Sequence, residues 1–207
     1  MQSDGGIYSR ISLAAEDHNG FSAERLDAYG EWGITADWTL SAKYETVDFS
    51  TSNAFDSEGW RVAARRRIWA NEKWSSTGEI AILEGAAIGG FRGCDAMGGE
   101  ISLGVGRTFK LGRYEGYSGL NVGRREHDGG CYHDRLEAII SVQPQPNVYW
   151  TAQLWSERGE DDRSDKIDLT RSFVFGQFEF GLGVRQEVSG EFDETAAVLS
   201  LAFRNGR

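Results

Sequence analysis

No stretch of the 207-residue sequence approaches the roughly eighteen apolar residues that a transmembrane helix requires, so a helical membrane span is excluded. Proline is nearly missing, with 2 residues, and cysteine and histidine are scarce at 2 and 3. A basic tail is lacking as well. "RVAARRR" at 61–67 is the only concentrated positive stretch, and it lies within an alternating run. With 32 acidic residues against 22 basic ones and a net charge of −10, the chain would repel phosphates at every approach, which argues against a nucleic-acid partner. Met1 is followed by "QSDGG", which has neither the basic nor the apolar segment of a secretory leader. Either the chain is cytoplasmic, or it is a mature or excised chain carrying an added initiator Met, and the composition favours the second expectation.

Glycine and aromatics are abundant, with 27 Gly, 7 Trp and 12% aromatic residues overall. The length suits a single domain over 1–207 with a core of ordinary size. A mean hydropathy of −0.46 is compatible with membrane spanning by strands, because a transmembrane barrel needs an apolar residue only at every second position.

Period-two alternation runs almost from end to end. It predicts strands near 6–14, 26–35, 37–48, 59–70, 74–90, 99–110, 113–125, 132–143, 147–157, 165–177, 178–188 and 194–203. The hairpin "YGEWGITADWTLSAKY" at 29–44 is typical, with two alternating runs around Thr35, Ala36 and Asp37. Connections alternate between long ("EDHNGFSAER", "STSNAFDSE", "FRGCDAMGG", "EHDGGCYHD", "RGEDDRSD", "SGEFDE") and short ("TAD", "NEK", "KLGR", "QPQPN", "GQ"). All long loops therefore fall at one end of the sheet and all short turns at the other, an asymmetry expected of outer-membrane barrels and not of a soluble meander.

The chain thus resembles a bacterial outer-membrane β-barrel. The resemblance covers its whole length as a pattern, and the 29–44 hairpin is similar to hairpins common in that class. The last strand, "TAAVLSLAF", resembles the terminal strand by which such barrels are recognised for assembly, through Ala197, Leu199, Leu201 and Phe203. It departs from the pattern at Val198, where Gly is common, and in "RNGR", which follows the terminal aromatic. The resemblance implies an all-β, closed, antiparallel, up-and-down transmembrane barrel of about twelve strands in the bacterial outer membrane, with short periplasmic turns and longer external loops.

On that reading Trp32, Ile34, Trp38, Leu40, Ile80, Ile82, Leu103, Trp150 and Leu182, among others, face lipid, and aromatics near strand ends form interfacial girdles. The opposite face lines the lumen with Arg10, Lys43, Glu45, Arg61, Arg65, Arg67, Glu79, Glu100, Arg135, Glu137 and Arg185. Glu31, Arg125, Asp168 and Glu187 share that face. Arg107 and Arg171 fit badly, since they share parity with apolar neighbours, and an arginine facing lipid at mid-bilayer costs about 2–4 kcal/mol.

Cys94 and Cys131 fall in neighbouring long loops on the external side, where a disulfide is sterically plausible and suits an oxidising compartment. His18, His127 and His133 are also assigned to long loops. Their spacing with Asp128, Cys131 and Asp134 matches no strong metal signature, so no metal or cofactor is expected. No serine stands in a nucleophile context, and the chain is expected not to be an enzyme.

The expected function is a narrow channel for small hydrophilic solutes, or a barrel closed by ion pairs, acting as a monomer among outer-membrane lipids. The alternatives are the exit barrel of a larger export protein with a periplasmic partner, a rim-active enzyme, an adhesion or structural barrel, and a soluble β-sandwich or lipocalin-like binder.

Overall fold

The computed structural model describes residues 4–89, 94–160, 162–190 and 193–205. The alternating segments become twelve strands: β1 (Ile7–His18), β2 (Phe21–Gly33), β3 (Trp38–Phe49), β4 (Ser57–Ala70), β5 (Trp74–Glu84), β6 (Gly98–Leu111), β7 (Tyr114–His127), β8 (Tyr132–Gln145), β9 (Val148–Arg158), β10 (Arg163–Phe175), β11 (Phe178–Ser189) and β12 (Glu194–Asn205). Each pairs antiparallel with its sequence neighbours, and β1 pairs with β12 from Ile7↔Asn205 to His18↔Glu194, closing the sheet into a barrel. One sheet closed on itself is not two packed sheets, so the soluble-sandwich alternative is set aside.

Period two sends every second side chain outward. The outward rows are apolar and uncovered by protein: the register partners Ile80 and Ile101 are 63% and 62% exposed. The inward rows hold the charges, including the buried Glu16, Glu45, Glu79, Glu100, Arg125 and Glu194. Hydrophobic exterior and polar interior is the reverse of a lipocalin-like binder and the arrangement of a barrel whose solvent on the outside is lipid. Aromatics mark both margins of the belt. Trp32, Trp38, Trp74 and Trp150 lie toward the short-turn end. At the other margin Tyr44 and Trp60 are cross-strand partners whose polar tips donate to Glu58 (2.9 Å) and Glu84 (3.1 Å).

The strand ends differ from the sequence reading. The stretch "EDHNGFSAER" is not a long loop: β1 and β2 continue to the pairs Asp17↔Ser22 and His18↔Phe21 and are joined by Asn19 and Gly20 alone. Both joining residues have positive φ (56° and 89°), which suits a two-residue hairpin turn and explains the Asn-Gly sequence there. Likewise "EHDGGCYHD" and "RGEDDRSD" are half or more strand, around the connections 128–131 and 159–162. The physical reason is common to all three. Beyond the apolar belt the outward face is polar as well as the inward one, so alternation of polarity disappears while the ladder of backbone hydrogen bonds continues.

Loop sorting survives in reduced form. The turns at one end are 34–37, 71–73, 112–113, 146–147 and 176–177; the connections at the other include the two longest, 50–56 and 85–97. The start of β1 and the end of β12 lie at the short-turn end, where Gly5 N–H donates to the Gly33 carbonyl at 2.9 Å. The strand expected over 74–90 stops at Glu84, since Gly85 turns the chain at φ +97° into the single-turn helix α1 (Ala86–Gly89).

Candidate functional site: the barrel interior

All eleven residues expected in the lumen carry inward parity in the observed registers. Lys43↔Arg61 is one register pair, Arg65↔Glu79 another, and the inward rows of β6 and β8 bring Glu100, Arg135 and Glu137 round the same wall.

One network lies on β1–β3 and β10–β12. Arg25 is its centre, bonded to Glu16 at 2.5 Å, to Glu45, and to Glu194 at 3.8 Å. Lys43 joins Glu45 (2.5 Å) to Asp27 (3.0 Å), and Arg10 reaches Asp27 at 3.4 Å. From the other side Arg185 approaches Glu194 (3.5 Å), Glu16 and Asp168 (each 3.8 Å), while Lys166 pairs with Glu194.

A second network covers the wall from β4 to β9. Glu100 receives three arginines: Arg61 at 2.6 Å, Arg125 at 3.0 Å and Arg135 at 2.7 Å. Arg61 also pairs with Glu79, which Arg65 holds at 2.7 Å before reaching Glu31 at 3.0 Å. Arg135 continues to Glu137 (2.6 Å) and Glu157 (2.7 Å). Arg67 pairs instead with Asp37 in the β2–β3 turn at 3.2 Å. Glu45 is not a partner of these β4 arginines, because it faces Gly59 in register and is taken by Arg25 and Lys43.

Among the described residues each of these interior pairs stays on one strand, joins strands no farther apart than next but one, or reaches the turn beside them. The charges are therefore matched around the wall and not across the bore. Water reaches the two signs unequally. Side chains of Arg10, Lys43 and Arg65 are 38%, 31% and 24% accessible, whereas Glu16 and Glu194 are at 0%, Glu100 at 3% and Glu79 at 6%. Most of the shorter carboxylates lie against the wall beneath the longer cations; Glu137 at 39% and Glu157 at 18% depart from this among the acids, and Arg125 at 2% among the cations.

The mouth at the long-loop end is narrowed by the β5–β6 connection. Ile88 of α1 is buried against inward Gly59, whose place a larger residue could not share: a Cβ there would stand 2.9 Å from the Ile88 nitrogen. Arg125 donates to the Ile88 carbonyl, and the ring Nδ1 of His127 is 2.7 Å from the Ala96 carbonyl. Cys94 and Cys131 form the expected disulfide, with a Cα–Cα distance of 5.7 Å, so the loop is tied to the β7–β8 turn.

The histidines are not loop residues, contrary to the sequence reading. His18 and His127 end β1 and β7, His133 is the second residue of β8, and all three are buried. The structure does not assemble the group around 127–134 into a ligand set: Cys131 is consumed by the disulfide, and Asp134 is outward, 3.5 Å from Arg124. His18 is 2.9 Å from Glu16 and, with Glu194, falls within ligand distance, but Arg25 and Arg185 already neutralise both carboxylates.

Sequence reasoning missed Glu16, Arg25, Glu157, Lys166 and Glu194. The first two lay in the stretch taken for a loop. The Asn19-Gly20 dipeptide was the signal that could have extended both strands and, by parity with Arg10, placed them inside.

No model of a protein family matches the sequence, and no curated protein matches it. Solved structures do. The NanC porin superposes with a TM-score of 0.73 at 8% identity, and the KdgM porin with 0.64 at 12%, each over 94% of this chain and 98% of its own. LpxR from Salmonella typhimurium superposes with 0.63 at 10% identity, over 95% of this chain and 99% of its own. With its closed sheet, apolar outer belt and charged interior, the chain has the fold of the bacterial outer-membrane β-barrels.

Proposed function

We propose that the protein is a narrow outer-membrane channel for small hydrophilic solutes, with a water-facing bore that favours anions. The observation that carries this reading is the unequal access of water to matched interior charges. A passing ion meets Arg10, Lys43 and Arg65 before the carboxylates behind them. In a bore with low-dielectric walls the nearest charges act most strongly on the ion. The interior pairs named above reach no farther than the next strand but one, which supports an unbridged axis, while the β5–β6 loop limits the mouth, so the solutes are small. Two of the similar solved structures are porins, and one structure of the KdgM porin holds disordered oligogalacturonate. An enzyme reading has less support, because the histidine best placed beside a carboxylate, His18, shares Glu16 with Arg25.

Planar-bilayer recording tests the proposal. Wild-type protein should open discrete channels whose reversal potential in a salt gradient reports anion preference, and Arg65→Glu should move that preference toward cations. Folded protein that inserts yet does not conduct would replace the channel with the ion-pair-closed barrel.

A further inference from the structure

Arg107 and Arg171, the two residues whose parity conflicted with the lipid face, point outward as that parity requires. Arg66 joins them, and the three share one construction. Each is the exact register partner of a tryptophan on the adjacent strand: Arg66 of Trp38, Arg107 of Trp74 and Arg171 of Trp150. Each guanidinium lies over its partner's ring, at 5.5, 5.0 and 5.3 Å from the centroid, and Arg171 also lies 4.8 Å from the Phe173 ring. Each lies four residues before the last residue of a strand that runs toward the short-turn end, namely β4, β6 and β10. All three are exposed, and among the described residues no carboxylate is within 4.0 Å of any of them.

A guanidinium has five donors in a planar fork, and a ring face satisfies none of them directly. Inside this barrel arginines are supplied with carboxylates; on its outside, at this level, they are not. Outward apolar residues continue above them (Val105, Leu169) and one or two rows remain below, beside the turns (Ile68, Leu111, Phe175), so the acceptors must belong to whatever surrounds the barrel toward its short-turn end. The fork matches the oxygens of a lipid phosphate in a bidentate way. The opposite margin differs in chemistry: outward Glu58 and Glu84 accept from Tyr44 and Trp60 there.

We propose that the three Arg–Trp pairs form a girdle of binding sites for the phosphate headgroups of anionic phospholipids in the leaflet at the short-turn end. Each ring supplies the apolar wall on which the headgroup end of an acyl chain rests and holds its arginine extended toward the phosphate. Near the membrane interface the cost of an outward arginine is small, and the phosphate contact offsets it. The girdle rests on the membrane-spanning fold and is independent of whether the bore conducts.

Tryptophan quenching by brominated lipids tests it. Wild-type protein would be reconstituted in phosphatidylcholine vesicles containing equal small fractions of brominated phosphatidylglycerol or brominated phosphatidylcholine. Phosphatidylglycerol should associate about fivefold more strongly, the equivalent of one arginine's attraction to an anionic leaflet. Raising the salt should weaken that preference. The Arg66→Gln, Arg107→Gln, Arg171→Gln triple variant should lose it, and the corresponding triple lysine variant should retain part of it. Equal quenching by the two lipids in wild type, or a preference undiminished in the glutamine variant, would overturn the proposal. If the glutamine variant does not fold, single Arg107→Gln, with a partial loss, decides.

Discussion

Arg125 connects the barrel wall to the loop in its mouth: its Nε holds Glu100 at 3.1 Å while another of its nitrogens donates to the Ile88 carbonyl. Its side chain is 2% exposed, so neither bond is shared with bulk water. The residue ties the second charge network to α1 and thus sets the position of the narrowing.

Replacing Arg125 with methionine should therefore widen the mouth. Glu100 keeps Arg61 and Arg135, so no carboxylate is orphaned, and the loss is confined to the anchor on Ile88 and one charged hydrogen bond. The expected outcome is a larger single-channel conductance together with destabilisation of about 1.5–3 kcal/mol. Unchanged conductance with a lowered melting temperature would show that α1 is held by packing on Gly59 instead.

The disulfide closes a 37-residue separation from Cys94 to Cys131, across the β5–β6 loop and the β6–β7 hairpin. Loop-closure entropy for that length gives a stabilisation of about 3–4 kcal/mol. Denatured, unreduced protein should accept no thiol label, and the Cys94→Ala, Cys131→Ala variant should unfold at lower denaturant. Labelling at both positions without prior reduction would contradict the bond. The pair variant should also conduct more noisily than Arg125→Met, because it releases the loop at its other end.

Twelve strands and the inward face were legible because the belt enforces strict alternation: a lipid-facing position must be apolar and a lumen-facing one need not be. Hence Lys43, Glu45, Arg61 and Glu79 could be assigned from parity alone. Legibility ended where the belt ends. Glu16 and Arg25 lie on strand extensions beyond the apolar belt, where polar residues stand on both faces and only the Asn19-Gly20 turn marked the hairpin. Partner choice was not legible either. Parity put Glu45 and the β4 arginines on one face, but register placed Gly59 opposite Glu45 and left that carboxylate to Arg25 and Lys43. Similarly, parity put Arg107 and Arg171 outside but gave no depth. Their register set them beside Trp74 and Trp150, toward the short-turn end.

Arg25 offers the sharpest test of the interior as a set of shared charges. It is the only cation among the described residues within 4 Å of all three of Glu16, Glu45 and Glu194, yet each has another partner: Arg185 for Glu16, Lys43 for Glu45, Lys166 for Glu194. Removing a buried partner without compensation costs about 3–5 kcal/mol. With those secondary partners present, Arg25→Met should fall at or below the lower end of that range and still fold into a barrel that migrates differently when unheated. Glu45→Gln in the same chain removes one of the stranded carboxylates. The double variant should therefore regain part of the loss, with a coupling between the two sites of about 1–3 kcal/mol by denaturant melts. Strict additivity of the two single substitutions would mean that Arg25 and Glu45 do not interact in the folded protein, and that the network on β1–β3 is three separate pairs.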